Sequence, residues 1–127
     1  MATQNKTDID QLLADSLKQL ASKKLLEKIT IKEITDLAGV IRPTFYNHFQ
    51  DKFELLEWII KKELLEPVQP LIRNDMFTEA MLLLFTNIER DKAFYSHVVK
   101  LEGPVTFRSI ASKCVREVLL TIINEQM

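Results

Sequence analysis

A chain of 127 residues with 46% hydrophobic side chains can bury one modest core, or a small headpiece with an incomplete body, and is too apolar for a disordered segment. Only two glycines argue against an all-β or loop-rich fold, and a lone cysteine, Cys114, excludes an intrachain disulfide and suits a reducing cytosol. The net charge of −1 does not announce a nucleic-acid binder, and the polar stretch from Met1 to Gln11, with no run of membrane-spanning length, predicts a cytoplasmic protein without signal peptide or membrane contact.

In chain order, the first predicted helix starts at Asp8, where Asp8 and Gln11 form a capping pair, and Ile9, Leu12, Leu13, Leu17, Leu20, Ala21 and Leu25 follow at helical spacing. Lys18, Lys23, Lys24, Lys28 and Lys32 fall close together with only Glu27 opposing them, as a solvated face or one turned to phosphates. Thr30 caps the second helix, with Glu33 at its third position, and Gly39 ends it. A third helix runs from about Arg42 to Phe49 and tolerates Pro43 in its first turn. Asp51 and Glu54 open a fourth helix, expected to continue to Glu66 and to stop before Pro67 and Pro70. Beyond that break, helices are expected near Phe77 to Glu89, Lys92 to Leu101 and Phe107 to Asn124, with Gly103-Pro104 interrupting before the last. The fold class is therefore all-α: an N-terminal, homeodomain-like helix-turn-helix headpiece of three helices, then a helical body. Pro67 to Pro70 is the candidate structural boundary. By role, residues 1–52 read as DNA-binding headpiece and 53–127 as effector-binding and dimerisation region.

The second and third helices, joined by a Gly-containing turn, have the form that lays its second helix in the DNA major groove. At about 100° per residue, Phe45 and Phe49 share one face and aim at the core. Pro43 and Asn47 lie opposite and point into the groove, while Arg42 projects from the first turn. Asn pairs bidentately with adenine, Arg with guanine, and a proline ring rests on a thymine methyl. Thr44 and Tyr46 flank that direction, where sugar–phosphate walls stand, and the His48 ring nitrogens suit phosphate oxygens. Lys52 opens the fourth helix, where an ammonium and free backbone N–H groups both attract an anion.

The blocks Ala38-Gly39-Val40, Thr44-Phe45-Tyr46-Asn47-His48-Phe49, and Lys52 followed by Leu55-Leu56 resemble the signature of the TetR family of bacterial transcriptional regulators. The resemblance implies base contacts at Lys32, Arg42, Pro43 and Asn47. It implies phosphate contacts at Thr30, Thr44, Tyr46, His48 and Lys52. One departure is Ile41, where the family commonly has a small polar residue, so a helix-capping hydroxyl worth about 1 kcal/mol is missing. A less specific resemblance, over Phe49 to Ile59 and Arg90 to Tyr95, is to the DhaS-like subgroup, whose members regulate a neighbouring operon and whose namesake activator works through a protein partner.

The resemblance further implies a homodimer on double-stranded operator DNA and a small-molecule or protein effector of unknown identity. The chain is short for the family, without the expected terminal helix. The last helix carries a wide apolar stripe, and Ile110, Cys114, Val118, Leu119 and Ile122 are its expected dimer contacts. His97 and Cys114 are too irregularly spaced for a metal site, so none is expected. Trp58, Phe85, Phe94 and Tyr95 read as core, or as the walls of a ligand cavity. The chain has no Gly-rich phosphate loop, nucleophile elbow or H-E-x-x-H pair, so neither catalysis nor a cofactor is expected. The alternative reading is a protein-interaction module that keeps this fold but acts by binding a partner regulator.

Overall fold

The computed structural model describes residues 6–126, in which every regular element is a helix. They are α1 (Lys6–Ala21), α2 (Ile31–Ala38), α3 (Arg42–His48), α4 (Lys52–Ile60), α5 (Gln69–Arg73), α6 (Phe77–Arg90), α7 (Lys92–Val98) and α8 (Phe107–Gln126). No described helix is long and apolar enough to cross a membrane. Helix α1 begins two residues before the expected Asp8, and Gln11 donates one turn onward to Asp15. It ends at Ala21, because a 3-10 turn at Leu26–Lys28 takes over and drops Leu26 into the core.

The local signals that shape the headpiece are satisfied as hydrogen bonds. At α2 the Thr30 hydroxyl accepts from the Glu33 amide, and the Glu33 carboxylate accepts from the Thr30 amide. That reciprocal pair satisfies two N–H groups the helix leaves orphaned. Gly39 closes α2 at φ 76°, where its amide donates to the Asp36 carbonyl and that of Val40 to Thr35. These two bonds are a Schellman closure, which needs the left-handed residue only glycine adopts cheaply. Helix α3 starts without a side-chain cap at Ile41, as the missing hydroxyl predicts. Asp51 caps α4 by accepting from the Glu54 amide.

Pro67 and Pro70 do not end the helical path, contrary to the sequence reading. After α4 the backbone widens into a π-helical turn at Lys61–Leu65, tightens to a 3-10 turn at Glu66–Val68, and enters α5. Each proline sits in the first turn of its segment, where a missing N–H breaks no bond. The path turns only at Asn74 and Asp75, the latter at φ 60°.

One core runs through the described residues. Leu13, Leu17, Ile34, Phe45, Leu55, Leu56 and Ile59 from the first four helices join Phe94, Val98, Ile110 and Cys114 from the last two. Of the aromatics expected inside, Phe94 and Tyr95 are buried and Trp58 is half-buried. Phe85 corrects that reading. It is 62% exposed, because α6 turns Ala80, Leu84 and Ile88 inward and its Phe77, Leu82 and Phe85 outward.

Candidate nucleic-acid interface

Helix α3 is fixed by two rings. Phe45 and Phe49 are buried with centroids 6.0 Å apart, and Phe49 meets Trp58 of α4 edge-on at 6.4 Å. With that face anchored, Arg42, Pro43, Tyr46 and Asn47 all stand exposed on the other, and Thr44 is half-buried beside them. Arg42 and Asn47 have no side-chain partner among the described residues, so their polar groups are available to an outside ligand. Tyr46 packs its ring edge-on against Phe45 at 5.5 Å and remains 52% exposed.

The other candidates already have partners. Lys32 on α2 forms an exposed i,i+4 ion pair with Asp36 at 2.8 Å, worth only about 0.3–0.5 kcal/mol and so readily exchanged. Thr30 is exposed with its hydroxyl engaged in the α2 cap. His48 donates from Nδ1 to the Asp10 carboxylate of α1 at 2.8 Å, both side chains being largely buried. A ring whose Nδ1–H is so engaged can donate to a phosphate only from Nε2, and only as imidazolium. The Lys52 ammonium is engaged with the backbone carbonyls of Leu26, Glu27 and Ile29. Asp10 is the residue the sequence reading missed: it lies 38 positions from His48, and no local pattern joins them.

The structure thus gathers Arg42, Pro43, Thr44, Tyr46 and Asn47 on one exposed strip, with Lys32 on the neighbouring helix. Residues 15–59, from mid-α1 to the end of α4, match the family of bacterial regulatory proteins named for TetR. These residues are a TetR-family DNA-binding domain. The chain is also similar to the HTH-type dhaKLM operon transcriptional activator DhaS of Lactococcus lactis subsp. lactis (strain IL1403), 26% identical over 92 residues. That match covers 72% of this chain and 49% of the relative, so the chain spans about half the length of the curated relative it matches. Both comparisons are with transcriptional regulators and neither with an enzyme. The match to a TetR-type domain is thus confined to residues 15–59, where the helix-turn-helix lies.

The dimer contacts expected on α8 need correction. Ile110, Cys114 and Ile122 are 5%, 0% and 5% exposed and belong to the interior of this chain; Val118 is half-buried against the core. The sequence leaves the stripe without intrachain cover on one side; α4, the π-helical turn and α5 pack on the other, and it is there that Ile110, Cys114 and Ile122 lie. Ion pairs Lys61–Glu117, Lys113–Glu57 and Arg73–Glu125 tie the same side down. Of the five, only Leu119 is exposed, in a strip with Val115, Leu120 and Ile123. The Cys114 thiol is pushed up to about 11, mainly by burial. No group of three or more potential metal ligands occurs among the described residues.

Proposed function

We propose that this chain binds operator DNA as a homodimer, with residues 1–52 reading the duplex and 53–127 serving effector binding and dimerisation. Helix α3 enters the major groove, placing Arg42, Pro43 and Asn47 on base edges with Lys32 beside them. Thr30, Thr44, Tyr46 and His48 meet the sugar–phosphate walls. The observation that carries this reading is the exposed pair Arg42 and Asn47, without side-chain partners among the described residues, on a helix pinned by Phe45 and Phe49. A second copy packs on the exposed α8 strip of Val115, Leu119, Leu120 and Ile123 and sets two recognition helices about 34–36 Å apart, or a multiple of that. The protein acts in the cytoplasm as a regulator and not as an enzyme.

An effector is taken up by the body. A crevice of about 390 Å³ between α1, α3, α4 and α8, lined by Asp10, His48, Trp58, Lys61 and Glu117, is open to it and touches the end of the recognition helix. The relative is named an operon activator; the regulatory role extends to this chain, without the operon. One observation favours the alternative, a module that works by holding a partner regulator: Phe77, Met81, Leu82 and Phe85 leave an apolar face on α6. Titrating labelled promoter duplex at several salt concentrations separates the two. Operator binding predicts tight, salt-dependent binding that a scrambled duplex does not match; a flat salt response or equal affinity for both duplexes would leave only the interaction module.

A further inference from the structure

By position Lys52 is a phosphate ligand, yet its side chain turns inward. Its Nζ donates to the carbonyls of Leu26 and Ile29, each at 2.8 Å, and of Glu27 at 3.3 Å. An ammonium has three N–H donors and no acceptor, so these three carbonyls occupy all of them. The carbonyls belong to the 3-10 turn after α1 and its exit, immediately before Thr30, the cap of α2. The Leu26 carbonyl also accepts from the Ile29 amide within the turn, and the half-buried ammonium bridges it to the Glu27 and Ile29 carbonyls at the turn's exit. The Phe53 ring lies 5.7 Å from the ammonium and adds a cation–π contact. Removal from water lowers the pKa of the amine, while the nearby Glu27 and Glu33 carboxylates act to raise it.

We propose that Lys52 is a positioning residue for DNA recognition, holding the start of α4 against the entrance of α2 rather than holding a phosphate. Helix α2 carries Lys32 and supports α3, and α4 carries the body. One ammonium therefore sets the angle between the reading head and everything attached to it. This inference rests on the operator-binding reading above.

The test measures operator affinity against salt for wild type, Lys52→Met and Lys52→Arg. Each phosphate contact contributes about 0.9 to the slope of log affinity against log salt. The expected result is that Lys52→Met binds several-fold more weakly with the wild-type slope and sequence preference, and that Lys52→Arg, which can still donate to the carbonyls, recovers part of the loss. A slope smaller by about one contact, or an affinity that does not change, overturns the proposal. Should Lys52→Met fail to fold, reductive methylation of wild-type lysines, quantified by mass spectrometry with and without operator duplex, decides the matter. Slow methylation of Lys52 in the free protein, unchanged by DNA, supports it; a reactive amine that DNA protects overturns it. A wild type that binds no duplex at any salt removes the operator reading itself, and this inference with it.

Discussion

At the scale of single residues, the proposed recognition rests on the contrast between side chains with partners and those with none among the described residues. Arg42→Ala and Asn47→Ala should each relax base discrimination by about 1–3 kcal/mol at one operator position, because each would remove a bidentate base contact. With Tyr46 on the sugar–phosphate wall as proposed, Tyr46→Phe would remove only its hydroxyl and should weaken all sequences alike. Affinities for a panel of operator variants distinguish these outcomes; a changed preferred sequence in Tyr46→Phe would reverse the assignment. Cys114 offers a second check. With the thiol near 11 and fully buried, the thiolate fraction at pH 8 is on the order of 10⁻³, so native protein should resist thiol reagents that label it at once in denaturant. Rapid labelling of the native protein would place Cys114 outside the core. The α3 face was legible in the sequence, because Phe45 and Phe49, four apart across α3 and its C-cap, share one inward direction. The partners of His48 and Lys52 were not legible, since they come from 38 and 23–26 residues away.

Among the elements, α2 depends most on its ends. Thr30→Ala removes the capping hydroxyl and should cost about 1 kcal/mol, read as a lower midpoint in urea unfolding with unchanged slope. Helix α8 depends on charge as well as packing. The Lys61 ammonium hydrogen-bonded to Glu117 holds that carboxyl below its ordinary value, and Glu117 in turn raises Lys61. A lowered carboxyl stabilises the fold above its unfolded pKa and loses that contribution as pH falls through the folded one. Stability should therefore decline below about pH 4.5, with Glu117→Gln showing a shallower acid loss than wild type. Equal acid profiles in both would show that this tie contributes nothing. The element boundaries were legible wherever a cap or a glycine marks them. The passage from α4 to α5 was not, because a proline announces that one N–H is missing but not whether the next turn needed it.

For the whole molecule, the proposed homodimer needs a surface that meets a second copy. Leu119 is 43% exposed, so Leu119→Lys should leave the fold intact and yield monomers with weaker operator binding, whereas a lysine at Ile110 or Ile122 should unfold the chain. Sedimentation of wild type and mutant is the measurement; wild type monomeric at micromolar concentration sinks the dimer. The apolar stripe of α8 was legible as a pattern. Its division into an inner and an outer half was not, because that depends on how α4, the π-helical turn and α5 lie against it.

The shared interior has one more consequence. Leu55, Leu56 and Ile59 belong to the same buried cluster as Phe45 of α3 and as Phe94 and Cys114 of the last two helices. Heating should thus produce one calorimetric peak whose van't Hoff and calorimetric enthalpies agree, since neither region can melt while the other keeps its native neighbours. Any small molecule that tightens the body will raise the melting point of the DNA-reading region by the same amount, so a thermal shift alone cannot say which end of the molecule was bound.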